Sequence, residues 1–422
     1  MTNIRQKIYK TLRWVEHYTK TDNVYLAKSG FWVSFGHVVA ICSGLFVSLA
    51  FANLFPKESF GTYKFIVSIT GLLGIFSLTG LGTSIVQSVA RGFGGALRQG
   101  FRLNLKWSIG IFLGGLIFST YYYINGNELL SFSFLLAGIL TPFTNSAALY
   151  GAYLLGKKDF RRNSFYNSVR NLVPAIALII TLLLTQNLAV IITVYFLFAA
   201  LVPLLLYYRA ARIHRTNGER DPGLIPFSKH LSLMEIIGTI ASQLDKILIF
   251  HYLGAAPLAI YAFAIAPVEQ LQGGKKIFST MIQPKMNERS FEELQRSSPR
   301  KSLLLIIYAL CLALLWVIMA PYFYKFLFPQ YLDSVVYSQI YSFTLLAVSG
   351  TMFNEILVAH KKTKELYLHR TVAPILQILL FLALLPRFGL MGLVVTHVLM
   401  RSLNGLALYY FVKFPFRIKS SS

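Results

Sequence analysis

The sequence predicts an all-α polytopic membrane protein of about twelve transmembrane helices arranged as two six-helix lobes. Three observations predict it: a composition that is 55% hydrophobic and only 13% charged, a series of nearly charge-free runs, and a repeat of the first half of the chain in the second. A mean hydropathy of +0.58 lies outside the range of soluble domains. A crossing needs roughly 20 apolar residues, so 422 residues with short connections leave no room for a sizeable soluble domain.

In chain order, the apolar runs fall at 30–53, 62–90, 107–125, 129–156, 169–186, 188–208, 231–253, 257–283, 302–324, 333–359, 369–386 and 389–412. The fifth and sixth share one uncharged stretch from Asn171 to Tyr208, about 57 Å of helix, which exceeds a core of roughly 30 Å. Thr185, Gln186 and Asn187 supply the turn that divides it. Residues 1–29 precede the first run as a cytoplasmic arm. Its Ile4, Ile8, Leu12 and Val15 fall at helical spacing among Arg5, Lys7, Lys10 and Arg13, which suits either an amphipathic helix on anionic membrane lipids or a solvated arm that sets topology. The arm is too long and polar for a secretory leader, so no cleaved signal peptide is expected.

Charge fixes the orientation. Of the 40 Lys and Arg residues, 34 fall in the arm, the tail and alternate loops with their helix ends, only Lys57, Lys325 and Arg387 fall on the opposite side, and Lys64, Lys246 and Arg401 fall within the apolar runs. Both termini are therefore expected in the cytoplasm, with the chain multi-pass in the cytoplasmic (inner) membrane. The same distribution argues against nucleic acid as a partner, because the excess is scattered in short interhelical clusters. Cys42 and Cys311 lie within apolar runs without metal or disulfide spacing.

The repeat defines two lobes, 30–215 and 216–422. The stretch from Leu54 to Phe65 follows the first run as Tyr252 to Phe263 follows the seventh, bringing Tyr63 onto Tyr261. Gly156 to Pro174 recurs, with Arg170 onto Arg370 and Pro174 onto Pro374. Because each half has an even number of spans, the halves enter the membrane in the same direction and enclose a central cavity.

Phe60 to Gly92, Ser242 to Ala264, the FLFPQYLDS element (Phe326 to Ser334) and Pro386 to Val398 resemble, in order, the polysaccharide-transporter family. These are the O-antigen and exopolysaccharide flippases (Wzx-type) of the multidrug/oligosaccharidyl-lipid/polysaccharide exporter superfamily. The resemblance implies a V-shaped transporter that carries polyprenyl-pyrophosphate-linked oligosaccharide from the inner to the outer leaflet by alternating access. It implies lipid-linked oligosaccharide, polysaccharide polymerase and chain-length proteins as partners; with no nucleotide site in the sequence, no cofactor is expected beyond an H+ or Na+ coupling ion. Members often have fourteen spans, whereas this sequence offers twelve.

A charge at the bilayer centre costs about 2.5–3.5 kcal/mol on insertion scales, so the deep charges are the candidate substrate-binding residues. Arg401 is thirteenth in a 24-residue run, with His397 and Asn404 one turn to either side. Asp245 and Lys246 are neighbours pointing about 100° apart and are expected to need separate partners. Glu235, Gly238 and Ser242 continue the Asp245 edge, while Glu269, with Gln272 and Lys276 on its face, is a counter-ion for Arg401 or Lys246. Lys64, Gln87 and Arg91 complete the site candidates, with His37, Thr83 and Asn145 as milder ones. Cavity lining and fixed structural pairing both remain open for these groups.

No catalytic or nucleotide-binding motif is present: H-E-x-x-H, P-loop and G-x-S-x-G signatures are missing. A transporter rather than an enzyme is expected. The competing readings are a cation-coupled small-molecule or multidrug exporter of the same superfamily, which favours an acidic cavity, and a membrane polysaccharide polymerase, which needs a larger external loop.

Overall fold

The structure, a computed structural model, describes residues 23–213, 218–273, 286, 289–360 and 362–414. Residues 1–22 of the arm, the lobe boundary at 215 and 216, and Lys276 lie outside them. Among the described residues, nine helices are long and apolar enough to cross a membrane. One, Thr363–Lys413, has 51 residues and would extend about 77 Å; Gly389 at φ 56° divides it into the eleventh and twelfth spans. Counting it twice and adding the seventh and eighth helices, Leu224–Tyr252 and Ala255–Gln272, gives the expected twelve.

The first span is Asn23–Leu54, the fifth Phe160–Leu184 and the sixth Leu188–Ile213. The third combines Ala96–Trp107 with Ile109–Ile124, and the fourth Glu128–Ala147 with Tyr150–Gly156. The ninth is Phe291–Leu327; the tenth runs from Ser334 to Ala359 through a 3-10 turn at Phe343–Ala347. Asp159 starts the fifth by accepting the Arg162 backbone N–H at 3.1 Å, which is the standard N-cap contact.

The second span departs from the single run 62–90 expected of it. It is broken into Lys57–Leu73 and Leu81–Ala90. Backbone freed at membrane depth must find partners inside the protein, and it does: the Leu78 N–H donates to Asn104 Oδ1 at 3.0 Å and the Gly80 N–H to Ser232 Oγ at 3.0 Å. A Cβ on Gly80 would overlap Leu231, so glycine is what lets the break seat against the seventh span.

Spans one to six pack among themselves, as do seven to twelve, and the halves meet where the second span lies along the seventh and eighth. At the Lys57 end this contact is an aromatic plug. Phe60 stands 4.6 Å from Phe263, which stands 3.9 Å from Tyr331 (ring centroids), with Phe51 stacked on Tyr63 at 5.0 Å. Beside it, Gly61 touches the Ala255 carbonyl, leaving no space for any side chain. Lys57 Nζ bridges the halves to Asp333 at 2.9 Å.

Candidate functional site

Between the halves lies a cavity of about 650 Å³ that the aromatic plug closes at the Lys57 end. The first, second, fourth, fifth, sixth, eighth and ninth spans contribute its walls, mostly small and aromatic side chains with Ser43, Ser48, Thr144, Asn171 and Gln270 as polar points. It contains two cations, Lys64 and Arg170, and no carboxylate among its described lining. Of the nine candidates that sequence reasoning named, Lys64 alone lines it.

Lys64 Nζ lies 5.0 Å from the Phe60 ring centroid and 5.8 Å from that of Tyr63, positions in which the ring faces attract a cation. Among the described residues, the charged group that acts on it is another cation, Lys246. Arg170 lies beside the phenols of Tyr150 and Tyr195, and Tyr195 in turn contacts Tyr63. Neither Lys64 nor Arg170 has a carboxylate within ion-pair distance among the described residues. Two cations facing one cavity with no carboxylate in its described lining have the charge and donor groups to hold an anion bearing several acceptor oxygens.

Sequence reasoning misses Arg170 because the residue, second in the run 169–186, counts as a helix end flanking the basic loop before the fifth span. The helix in fact begins at Phe160, so Arg170 lies about 15 Å along it. The cap at Asp159 was the available signal.

The remaining deep charges gather inside the second half. Asp245, 2% exposed, accepts from the Tyr261 hydroxyl at 2.6 Å, the Lys246 backbone N–H at 2.8 Å and Lys246 Nζ at 3.1 Å. His397 Nε2 lies 3.3 Å from the same carboxylate and 2.9 Å from the Tyr261 hydroxyl. The expectation of separate partners for Asp245 and Lys246 is thus corrected: the lysine stem curls back over its own turn, reaching both the carboxylate and the Ser242 carbonyl at 3.0 Å.

A second cluster adjoins the first. Arg401 Nη2 donates to Glu269 Oε1 at 2.6 Å, and the Tyr341 hydroxyl donates to the same oxygen. The guanidinium lies 5.3 Å from the Tyr341 ring centroid, and the Tyr341 ring meets His397 edge-on at 5.6 Å. Gln272 donates to Thr344 Oγ1 at 2.8 Å. Nothing in the pattern around Tyr341 singles it out, because a tyrosine in an apolar run reads as packing.

Arg91 lies at the far end of the second span, where its guanidinium reaches Asp221 at 2.6 Å. Asp221 also accepts from the Ser88 hydroxyl and the Gly223 N–H, while Gln99 exchanges hydrogen bonds with its backbone at 3.1 Å. Burial alone would raise this carboxyl; Ser88, Gly223 and Arg91 together hold it below the ordinary carboxylate range. The segment between the lobes is thereby clamped to the second span. Gln87 and Thr83 are exposed, Asn145 and Asn404 half-buried, and His37 packs against Gly273 with its Nε2 unpartnered among the described residues. Those described residues contain no group of three potential metal ligands.

The family described as polysaccharide biosynthesis protein matches residues 26–288. No curated protein matches the sequence. Among solved structures, the inward-facing form of a multidrug resistance MATE family transporter of the MOP superfamily is similar at TM-score 0.64 and 13% identity, covering 92% of this chain and 97% of that one. An outward-facing form of such a transporter gives 0.59 at 13% identity, covering 92% and 94%. A MOP superfamily transporter from Pyrococcus furiosus, described as having a binding pocket of reverse polarity, gives 0.58 at 12% identity, covering 92% and 96%. At such identities the likeness establishes the fold.

Proposed function

Because the chain belongs to the polysaccharide biosynthesis protein family and has the fold of a membrane exporter, we propose that it is a flippase for polyprenyl-pyrophosphate-linked oligosaccharide. It moves its cargo from the inner to the outer leaflet of the cytoplasmic membrane by alternating access. The observation that carries this reading is the pair Lys64 and Arg170 in a cavity whose described lining holds no carboxylate. A pyrophosphate needs cationic compensation to leave water. The sugars need the hydroxyl and amide groups beside it, and the polyprenyl tail can stay in lipid.

Lys57 and Asp333 lie on the side poor in basic residues, so the sealed end is the outer one in the orientation the charge bias favours. The cavity then belongs to an inward-facing state, loaded from the cytoplasmic leaflet. Rocking the halves apart at the plug would break the Lys57 to Asp333 bridge and the Phe60 to Phe263 contact.

Delivery of lipid-linked sugar to the outer leaflet, measured at matched membrane abundance, tests the reading. Lys64→Gln with Arg170→Gln should abolish delivery, and Arg170→Lys should retain part of it by keeping the charge without the two-pronged fork. Full delivery by the double variant would overturn the proposal. Efflux of organic cations by the unaltered protein in vesicles would transfer support to the multidrug-exporter reading.

A further inference from the structure

A second, separate recess opens in the other half, away from the plug. It is a slot of about 380 Å³ between the ninth, tenth and twelfth spans, walled by Leu303, Ile306, Leu346, Phe353 and Leu406 with Ser302, Ser349 and Ser402 as small gaps. At Pro299 and Tyr409 it runs into a second recess of about 390 Å³ whose rim carries Arg296 and Lys413. No residue lines both this slot and the central cavity. The combination is an apolar channel with a cationic mouth.

Its dimensions match one leaflet. From Arg296 to Ile306 the ninth helix advances about 15 Å, half of a hydrocarbon core of roughly 30 Å. Arg296 and Lys413 have no carboxylate within ion-pair distance among the described residues, although Glu293 is close in sequence and is engaged by Arg289 at 3.2 Å. Gln295 fixes the mouth by donating to the Val412 and Lys413 carbonyls at 3.1 and 2.7 Å. The slot also has unfilled space beside Gly405. The tenth and twelfth spans touch backbone to backbone, a Cβ on Gly350 standing 3.1 Å from the Gly405 Cα, whereas a Cβ on Gly405 would meet nothing within 4 Å.

We propose that this slot holds one anionic glycerophospholipid from the leaflet on the basic side. Its phosphate sits between Arg296 and Lys413, and one acyl chain lies along Leu303, Ile306 and Leu406. Charge complementarity selects an anionic headgroup, and the separation from the central cavity selects a resident lipid over the transported carrier. The bound chain replaces the protein atoms missing beside Gly405, and so braces the ninth span against the twelfth. This inference does not depend on which cargo the central cavity carries.

Native mass spectrometry of the delipidated full-length protein, with phosphatidylglycerol and phosphatidylcholine of identical chains as probes, tests it. The unaltered protein should retain one phosphatidylglycerol at roughly thirtyfold lower concentration than phosphatidylcholine, the scale of two cations acting on a headgroup of net negative charge. Arg296→Gln with Lys413→Gln, both at the exposed end, should bind the two lipids alike. Gly405→Leu, which grows into empty space, should lose both. Equal retention of the two lipids by the unaltered protein would overturn the proposal. So would an undiminished phosphatidylglycerol preference in the Arg296→Gln, Lys413→Gln protein, which tests the idea even where Gly405→Leu does not accumulate. Displacement by polyprenyl phosphate at equal concentration would assign the slot to the carrier instead and equally overturn it.

Discussion

Replacing Asp245 by alanine should destabilise the protein far more than any other single change among its deep charges. The carboxylate is 2% exposed and is the shared acceptor of Lys246, Tyr261 and His397. Its loss leaves Lys246 Nζ with one neutral partner, the Ser242 carbonyl, while Lys64 still repels it across the lobe interface. Breaking a buried pair from one side costs about 3–5 kcal/mol, a large share of a typical stability of about 5–15 kcal/mol. At 1.4 kcal/mol per tenfold, the unfolded fraction should rise by roughly 10²- to 10³-fold or more. Membrane abundance and the thermal midpoint of the detergent-solubilised protein should both fall. Adding Lys246→Met to Asp245→Ala removes the stranded cation and should recover much of the loss, because contacting sites couple. Glu269→Ala supplies the contrast: its carboxylate is 40% exposed, so solvent screens the loss and the cost should be on the order of 1 kcal/mol. Asp245→Ala at unaltered abundance and midpoint, or a double variant worse than the single, would refute the reasoning.

Arg401→Ala leaves Glu269 to Tyr341 and water, so its abundance should stay within about twofold, and the Glu269→Ala, Arg401→Ala pair should be no worse than either single variant; quantitative blotting of membranes checks this. The Asp221 clamp should be insensitive to pH from 8 to 5: its folded pKa is depressed, so its contribution is complete above the ordinary value of 3.8 and is lost only as pH falls through the lower folded value. Thermal midpoints of Asp221→Asn and the unaltered protein should therefore differ by a constant amount over that range. Gly61→Ala drives a methyl group into the Ala255 carbonyl, an overpacking of about 1–3 kcal/mol that should favour opening of the plug; a cysteine at Ser48 in the cavity should then label faster from outside. Cysteines near Arg296 should label only in permeabilised cells and near Asn127 in intact spheroplasts.

The spans were legible because a membrane imposes one requirement on every crossing, a long uncharged run, and charge-free stretches of this sequence satisfy it. What remained hidden depends on side-chain reach and backbone breaks. The interruption from Gly74 to Gly80 is flanked by apolar residues, and the groups that stabilise it, Asn104 and Ser232, come from other spans. Arg170 disappeared into the topology count because Arg161 and Arg162 precede it. Adjacent helix positions point Asp245 and Lys246 apart, yet a four-carbon stem reaches where Cα directions do not. Tyr261 was found through the repeat, opposite Tyr63, but its role was not: each buried phenol of this pair contacts a polar group of its own half, Tyr195 in one case and Asp245 in the other.

That pairing explains how one fold keeps a cationic cavity beside two intramembrane carboxylates. Across the interface, Lys246, the immediate neighbour of Asp245, lies within electrostatic reach of Lys64. Asp245 is unavailable, because its oxygens are already committed to Lys246, Tyr261 and His397. Glu269 is likewise engaged by Arg401 and Tyr341. Lys246 adds repulsion from the far side, so the field at Lys64 remains positive. The second half thus holds its own acids close, and the first half's Lys64 and Arg170 face a cavity whose described lining holds no carboxylate.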